Sequence, residues 1–345
     1  MTDRRQFLKT FSMVTASTPL IHHKVLFAAS APVTRRQIII DTDPGLDDAV
    51  AILFALAAVD ELEVLGIVAV AGNLPLFETE RNARRICALA GRPELPIYAG
   101  CERPLLRPLA TADGIHNDPR LEAVLPEAAM PLQVQHGVDF LIETLRSADP
   151  STITLCALGP LTNIAIALAK APEVVGKVRE LTVMGGACFQ LGNVTPAAEF
   201  NIHVDPHAAA IVIDSGIPIT MIPLDVTHQL ITTEQRLAAL QALPNCCGQA
   251  VAELLAAFES NRRAKFGERA KALHDPAVIG YLLRPDLYDG REVNVAIETE
   301  SRMTMGMTVV DWWSVTGRKP NVRFMTAVEA AGFYDLLTET LARLP

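Results

Sequence analysis

Four aspartates lie within eight residues of one another near the start of the chain, at Asp41, Asp43, Asp47 and Asp48. Carboxylates packed this closely repel one another, and the repulsion raises their pKa values. A hard divalent cation such as Ca²⁺ or Mg²⁺ would relieve it, because these ions prefer oxygen ligands. One aspartate could instead cap a helix, but a cap needs a single carboxylate and leaves the others unexplained. The segment therefore predicts a metal-binding site.

These aspartates follow a short apolar run, 37–40, and the same arrangement recurs along the chain. Asn73, Met184 and Asp225 each stand at or just beyond the end of another apolar, β-rich run. In an open sheet of parallel strands, ligands bind outside the carboxyl ends of the strands. We therefore expect these residues to meet at one edge of the sheet.

Strand-like and helix-like segments alternate, which predicts an α/β fold: a mostly parallel sheet flanked by helices. The predicted strands are 37–40, 62–70, 97–98, 152–158, 180–184, 217–224, 293–297, 304–310 and 322–325. The predicted helices are 49–58, 78–90, 136–146, 164–170, 206–214, 233–242, 249–265 and 328–341. Between 101 and 131 there is little periodicity, which favours a long loop with at most a short helix.

The composition argues against several classes of function. The chain has 345 residues, of which 50% are hydrophobic, so a large core is expected. A net charge of −9 and an aromatic content of 5% argue against a nucleic-acid partner. The longest apolar run, 49–59, is too short to span a membrane, so we expect no membrane insertion of the mature chain. Six cysteines in a chain of this length do not make a disulfide scaffold.

The amino terminus has the features of an export signal. Arg4 and Arg5 are followed by Phe-Leu-Lys, which resembles a bacterial twin-arginine signal. A mildly apolar stretch and the small residues 29–31 follow in the order that a signal peptide requires. A basic, frayed terminus is the alternative. We interpret 1–31 as a signal peptide and 32–345 as one catalytic domain, which predicts a periplasmic or secreted protein.

Two known families place an aspartate pair directly after a first strand. Phosphatases of the haloacid dehalogenase type carry D-x-D-x-T, in which the first aspartate is the nucleophile. Asp41 would take that role here, but the fifth position is Gly45 and not threonine. A phosphatase is therefore the less favoured of the two interpretations.

The string from Asp41 to Ala49 instead resembles the signature of the inosine–uridine-preferring nucleoside hydrolases. The blocks that agree, in order, are Val70-Ala71-Gly72-Asn73, Gly159-Pro160-Leu161-Thr162-Asn163, Met184-Gly185-Gly186, Glu199-Phe200-Asn201, Asp225-Val226-Thr227 and His274-Asp275-Pro276. Together they are specific, whereas Met-Gly-Gly alone would be weak. The resemblance implies an open, Rossmann-like fold and hydrolysis of the N-glycosidic bond of ribonucleosides.

The resemblance also implies a Ca²⁺ ion at the bottom of the pocket. Its ligands would be the carboxylates of Asp43, Asp48 and Asp275 and the backbone carbonyl of Leu158. Asp43 would in addition take the proton of the attacking water, since metal contact and a neighbouring base both favour a hydroxide nucleophile. His274 would act as the acid that assists the departing base.

A second implied set of residues holds the sugar. Met184 would pack on the ribose, and the ribose hydroxyls would bind to Asp47, Asn73, Asn193, Glu199 and Asn201. Carboxylates beneath the ring would stabilise the positive charge that develops on the ribosyl group. Losing one hydroxyl would leave buried partners unpaired, so deoxyribonucleosides should be poor substrates.

The chain departs from the family pattern in the loop 113–121. Many members carry His-Gly followed by Asp-Gly-Leu there, whereas this chain has His116 without the following glycines. His116 is expected to be the equivalent histidine and to contact substrate, with an ordinary loop histidine as the alternative. This loop would face the base, so the preference between purine and pyrimidine bases stays open.

Further base contacts are expected from the region 249–271. Its candidates are Phe258, Arg262, Arg263 and Phe266, although helical spacing fits core and surface roles equally well. An exported, non-catalytic nucleoside- or ribose-binding protein on the same fold is a further alternative. Because family members are commonly dimers or tetramers, the resemblance also implies a homodimer or homotetramer.

Overall fold

The computed structural model describes residues 35–128 and 130–345. The predicted export signal, 1–31, lies outside these residues and stays a prediction. Within them, strands and helices alternate, and the strands form one sheet with helices packed against it. The predicted α/β fold with a mostly parallel sheet is confirmed.

The sheet of the described residues has nine strands in the order β3-β2-β1-β4-β5-β6-β9-β7-β8. The strands are β1 Arg36–Thr42, β2 Leu62–Ala69, β3 Ile97–Ala99, β4 Ile153–Ala157, β5 Val178–Met184, β6 Ile219–Ile222, β7 Tyr288–Ile297, β8 Thr308–Asp311 and β9 Val322–Val328. Pairing is parallel from β3 through to β9, and only β7 and β8 run antiparallel to their neighbours.

The helices include several of only one turn. They are α1 Leu46–Ala57, α2 Leu76–Leu89, α3 Asp113–His116, α4 Pro119–Val124, α5 Gly137–Ser147, α6 Thr162–Lys170, α7 Phe200–Val204, α8 Pro206–Ile213, α9 Leu224–Thr227, α10 Glu234–Gln241, α11 Cys246–Phe266, α12 Pro276–Leu283 and α13 Ala330–Leu341. None of the helices in the described part of the chain is long and apolar enough to cross a membrane.

The first helix is enclosed on every side. All 12 residues of α1 are buried, and a helix that is apolar around its whole circumference needs protein on every face. It packs against α2, α11, α12 and α13. Asp47 and Asp48 are buried in its first turn, where the positive end of the helix dipole favours negative charge.

The strand order reverses beside β1. From β1 the chain builds β2 and β3 on one side, and then returns to build β4, β5 and β6 on the other. Such a reversal opens a crevice at the carboxyl ends of the two central strands. Asp43 follows β1 and Leu158 follows β4, so both stand at this crevice.

The segment 101–131 differs from the expected loop, because it contains both α3 and α4. Pro119 is the first residue of α4, and the side chain of Asp118 accepts a hydrogen bond from the backbone N–H of Arg120. These are ordinary signals for a helix start. A helix of one or two turns is too short to give a periodic pattern, so the sequence allows for one short helix without locating it, and the structure has two.

Candidate active site

A cavity opens at the carboxyl ends of the parallel strands, and it collects most of the predicted site residues. Of the 12 residues predicted from the sequence, those lining it are Asp47, Asn73, His116, Leu158, Met184, Asn193, Glu199, Asn201, His274 and Asp275. The other two, Asp43 and Asp48, are fully buried directly behind it. Residues from positions 43 to 275 therefore form one site.

Four carboxylates cluster at the bottom of this cavity, where Asp47 and Asp275 line it and Asp43 and Asp48 are buried behind them; we call these four residues the carboxylate floor. Asp48 lies within hydrogen-bonding reach of both Asp43 and Asp275. All four are at most 4% exposed. Among the described residues, no Lys or Arg forms an ion pair with any of them, and the nearest imidazole nitrogen, His116 Nδ1, lies 3.8 Å from Asp47 Oδ1.

Backbone and side-chain donors fix two of these carboxylates. Asp48 accepts hydrogen bonds from the Thr42 hydroxyl at 2.6 Å, from the Gly45 N–H at 3.0 Å and from the Asn73 amide at 3.0 Å. Asp43 Oδ2 accepts the backbone N–H of Asn73 at 2.6 Å. Its second oxygen, Oδ1, is buried and has no hydrogen-bond partner in the described structure.

Two glycines leave the space that Asp43 occupies. A Cβ atom added to Gly72 would stand 2.1 Å from Asp43 Oδ2, and one added to Gly159 would stand 2.4 Å from Oδ1. Any larger residue at either position would displace the carboxylate. The Val70–Asn73 and Gly159–Asn163 blocks therefore shape the site around Asp43 as well as contributing residues to it.

Burial makes the floor electrostatically unfavourable on its own. It raises the pKa of Asp47 to about 7, and it raises the pKa values of Asp43 and Asp275 well above the ordinary range. The charges of neighbouring floor residues add to all three shifts, while the pKa of Asp48 is raised by burial and held back by its hydrogen bonds. Four such carboxylates cannot all ionise in this space without a cation.

The floor fits a hard divalent cation. Its donors are oxygens, two of them (Asp43 Oδ1 and Asp47 Oδ1) are buried without a partner, and no Lys or Arg among the described residues forms an ion pair with the group. The acidic and histidine groups that converge most tightly are Asp47, Asp48 and His116, whose ligand atoms lie within 4.8 Å of one another. His116 Nδ1 accepts the backbone N–H of Leu46 at 3.2 Å, so its lone pair is in use and we favour the all-oxygen set.

Loops after β4 and β5 are tied together by the residues expected to bind the sugar. The Asn201 amide donates to the carbonyl of Leu158 at 2.6 Å and to that of Met184 at 3.1 Å. Glu199 accepts three backbone N–H groups and caps α7, and burial raises its pKa to about 7. The side-chain oxygen of Asn193 accepts the N–H of Phe200 at 2.9 Å.

Two histidines line the cavity, and a third stands behind one of them. His274 Nδ1 lies 2.8 Å from the Thr227 hydroxyl, whereas its Nε2 is buried without a partner among the described residues. The ring centroid of His228 lies 6.0 Å from that of His274. Burial lowers the pKa of His116 to about 3 and of His228 to about 4, and takes the pKa of His274 well below 6.5. All three imidazoles are therefore neutral near pH 7.

Another part of the cavity lining is built from α11 and α3. We call His116, Phe258, Arg262 and Phe266 the aromatic wall, and all four line the cavity. Arg263, which was grouped with these candidates, points away and lies 3.7 Å from Glu259 on the surface. The sequence offered Phe258, Arg262 and Phe266 without a role, because spacing by four residues is equally typical of a buried helix face.

Two conspicuous aspartates support the site from outside it. Asp41 accepts a hydrogen bond from the Asn163 amide at 2.9 Å, is 1% exposed and does not line the cavity. A nucleophile must reach its substrate, so the structure does not favour Asp41 as a phosphatase nucleophile. Asp225 accepts the backbone N–H groups of residues 188–190 and thereby fixes the loop after β5.

Known proteins are similar to this chain over nearly all of its described residues. A family model described as inosine-uridine preferring nucleoside hydrolase matches residues 38–335. An uncharacterised protein of Schizosaccharomyces pombe is 52% identical over 310 residues, which cover 90% of this chain and 100% of the relative.

Two further relatives carry functional names. The pyrimidine-specific ribonucleoside hydrolase RihA of Shewanella sp. strain MR-7 is 44% identical over 309 residues, which cover 89% of this chain and 96% of the relative. Among solved structures, the purine-preferring ribonucleoside hydrolase from Gardnerella vaginalis superposes with a TM-score of 0.82 at 28% identity, covering 89% of this chain and 98% of the other.

Proposed function

Because the chain belongs to the inosine-uridine preferring nucleoside hydrolase family, we propose that its cavity hydrolyses the N-glycosidic bond of ribonucleosides to ribose and free base by a Ca²⁺-dependent mechanism. The observation that carries this proposal is the carboxylate floor, with its unpartnered Asp43 oxygen at the bottom of the cavity. The floor is anionic where a ribosyl group would become positive during the reaction.

The cation would be held by Asp43, Asp48, Asp275 and the carbonyl of Leu158. When bound, Ca²⁺ supplies Lewis acidity that makes a water molecule a better nucleophile. Asp43 would accept the proton of the attacking water through Oδ1, an oxygen that has no hydrogen-bond partner in the described structure. The Leu158 carbonyl already accepts the Asn201 amide, and its second lone pair is available because a carbonyl oxygen has two.

Ribose binds above the floor in this proposal. Asp47, Asn73, Asn193, Glu199 and Asn201 hold its hydroxyls, and Met184 packs against the ring. Asp47 Oδ1 is buried without a partner in the described structure, so a hydroxyl donor from the sugar would satisfy it. A 2′-deoxyribonucleoside should be a poor substrate for the same reason, because it lacks a hydroxyl and would leave the Asp47 carboxylate without a hydrogen-bond donor.

The departing base is assisted by His274 and contacted by His116. The pKa of His274 is too low for a standing imidazolium, so we propose that the neutral ring donates a hydrogen bond from Nε2. That assignment requires Nδ1 to accept the Thr227 hydroxyl, which lies 2.8 Å away. Neutral His116 also carries its proton on Nε2, because Nδ1 accepts the Leu46 N–H.

We propose pyrimidine ribonucleosides as the preferred substrates. This proposal is supported by the relative RihA, which is named a pyrimidine-specific ribonucleoside hydrolase and is 44% identical over 89% of this chain. A purine-preferring structure of the same fold is more distant, at 28% identity. The loop 113–121, which departs from the family pattern, supplies His116 and Ile115 to the cavity beside the position proposed for the base.

The first test measures ribose released from uridine, cytidine, inosine, adenosine and 2′-deoxyuridine. Purified protein is assayed with chelator, and again after Ca²⁺ or Mg²⁺ is restored. We expect release from uridine and cytidine that stops with chelator and returns with Ca²⁺, and at least a 100-fold lower rate with the deoxynucleoside. Tight nucleoside binding without any ribose release would instead support the non-catalytic binding protein.

We propose that the chain is exported through its twin-arginine-like segment to the periplasm or beyond. The family match begins at residue 38, so the segment 1–31 precedes the part of the chain that resembles its relatives. Changing Arg4 and Arg5 together to lysine should keep the full-length protein in the cytoplasm, as followed by cell fractionation. Unchanged fractionation would favour a basic terminus with no export role.

Assembly as a homodimer or homotetramer is a further proposal. Exposed apolar side chains near the edge strand β8 support it, among them Trp313 at 79% and Val315 at 83% exposed. Isolated chains seldom leave a cluster of large apolar side chains in water. Light scattering on the purified protein gives the mass directly, and a monomer at assay concentration would contradict this proposal.

A further inference from the structure

Arg262 is a buried cation that makes no ion-pair contact with any described residue. Its side chain belongs to a residue that is 3% exposed, and Nη1 donates to the carbonyls of Ala270 at 3.3 Å and Ala272 at 3.0 Å. Among the described residues, Nε and Nη2 have no hydrogen-bond partner, and no carboxylate lies within ion-pair distance of the guanidinium, although the charge of Asp47 attracts it from farther away. Burying an unpaired charge is unfavourable, so a partner that comes from outside the chain is expected.

The guanidinium is held rigidly. Its central carbon lies 4.6 Å from the ring centroid of Phe258 and 4.9 Å from that of Phe266. These rings are four residues before and after Arg262 on the same face of α11. Gly267, at a φ of 55°, ends the helix, and the following turn supplies the two carbonyls that hold Nη1. The unused donors therefore have a fixed position before any ligand arrives.

These donors belong to a residue that lines the cavity. Arg262 lines the same cavity as Asn73, Glu199 and Asn201, but it belongs to the aromatic wall and not to the loops that follow the strands. A planar base attached to a ribose on the floor would extend toward Phe258 and Phe266. The guanidinium would then lie beside the base and not beneath the sugar.

We propose that Arg262 is a catalytic residue: it binds the departing base and stabilises the negative charge that develops on the base. This inference rests on the proposed function. As the C1′–N bond breaks, its electron pair moves onto the base nitrogen. The water oxygen forms the new bond to C1′, and its proton passes to Asp43. Arg262 donates hydrogen bonds to the base without losing a proton, and the base takes up its proton afterwards from solvent.

The chemistry favours bases that spread negative charge onto a carbonyl oxygen, as uracil does. A guanidinium presents donors in a planar fork that matches a nitrogen and a neighbouring oxygen. Removing one fixed donor to a developing anion lowers kcat by about 100- to 1,000-fold in other enzymes. An effect of this size separates a catalytic role from a structural one.

The test compares two substrates in Arg262→Gln. Uridine needs help to release its base, whereas 4-nitrophenyl β-D-ribofuranoside releases a phenolate that delocalises its own charge. We expect kcat on uridine to fall about 100-fold or more, and kcat on the nitrophenyl riboside to change by less than about fivefold. Arg263→Gln, on the exposed face of α11, is the matched control and should leave both rates unchanged.

A second variant guards against local unfolding. In Arg262→Ala, free guanidinium at millimolar concentration should restore part of the uridine activity, and an alkylammonium ion should not. Equal losses on both substrates with no rescue would overturn the proposal and assign Arg262 a structural role. Undiminished uridine turnover in Arg262→Gln would overturn it as well. A wild-type protein that cleaves neither substrate would overturn the proposed function itself, and this inference with it.

Discussion

The carboxylate floor and the aromatic wall belong to the same cavity, and their unpaired buried charges have opposite signs. In the described part of the chain, the floor has four buried acidic groups that contact no Lys or Arg in an ion pair, whereas the wall has one buried cation that contacts no carboxylate in an ion pair. The two do not fully neutralise each other: His116 lies 3.8 Å from Asp47, but its lowered pKa leaves it neutral, and Asp47 attracts Arg262 without an ion-pair contact. Each side is therefore arranged for a charge that arrives from outside, a metal ion at the floor and a departing base at the wall.

Asp43→Asn should have the largest effect, because it removes the proposed base and a metal ligand together. We expect ribose release from uridine to fall by about 1,000-fold or more, within the range for removal of a general base. The folded state should survive, since the change relieves repulsion at a carboxyl whose pKa burial already raises. Steady-state kinetics and thermal unfolding of the same sample check both points.

Asp41→Asn is the matched control for that change. Asp41 is equally buried and close in sequence, but it hydrogen-bonds to Asn163 and is not part of the carboxylate floor. Its loss should lower activity much less than the loss of Asp43. Comparable losses in the two variants would mean that buried charge near β1, and not proton transfer by Asp43, governs the rate.

Gly72→Ala tests whether the position of Asp43 is as critical as its charge. The new Cβ would stand 2.1 Å from Asp43 Oδ2, so the carboxylate must move, and a displacement of about 1 Å can lower a rate about 100-fold. We expect a loss of that order in kcat with secondary structure retained by circular dichroism. Gly114→Ala is the control, because nothing lies within 4 Å of its added Cβ, and full activity in Gly72→Ala would contradict a fixed Asp43.

The pH dependence of stability should distinguish floor from wall by its sign. Burial raises the pKa of Glu199, beside the floor, from 4.5 to about 7. The folded state then binds the extra proton, so this residue's contribution to the free energy of unfolding falls as pH rises from about 4.5 to about 7. Burial lowers the pKa of His116, in the wall, from 6.5 to about 3. Here the unfolded state binds the extra proton, so stability rises with pH across that interval.

Two variants of the metal-free protein isolate these slopes. Compared with Glu199→Gln, the wild type should lose free energy of unfolding when the pH is raised from about 5 to about 7. Compared with His116→Gln, the wild type should gain free energy of unfolding over the same rise in pH. Denaturant unfolding at the two pH values measures both, and slopes of the same sign would refute the contrast.

The floor could be predicted from the sequence because its residues follow strands. Asp43, Asp48 and Asn73 stand within a few positions of an apolar run, and parallel strands bring their carboxyl ends to one edge. Asp275 comes from far along the chain, and only the family resemblance linked it to the others. The strand order, with its reversal beside β1, depends on long-range pairing that no local pattern specifies.

The wall could not be assigned a role in advance, because α11 has no pattern that separates a cavity face from a core face. Phe258, Arg262 and Phe266 repeat every four residues, as a buried stripe does. What marks Arg262 as functional is its unpaired charge, and pairing is visible only once Ala270 and Ala272 have been folded back beside it. The signal therefore depends on tertiary structure and not on residue type.

Phe266→Leu should have the smallest effect and sharpens the role of the wall itself. If the ring packs on the base, losing its aromatic face should raise KM for uridine about fivefold, since aromatic pairs contribute about 0.5–1.5 kcal/mol beyond area burial. kcat should stay within about twofold, because Arg262 keeps its two carbonyl contacts and the Phe258 ring. Phe77→Leu, at a side chain 66% exposed and outside the cavity, is the control. A fall in kcat as large as that in Arg262→Gln would mean that the Phe266 ring positions the guanidinium. The residues of the wall would then act together in catalysis, and Phe266 would contribute more than base binding.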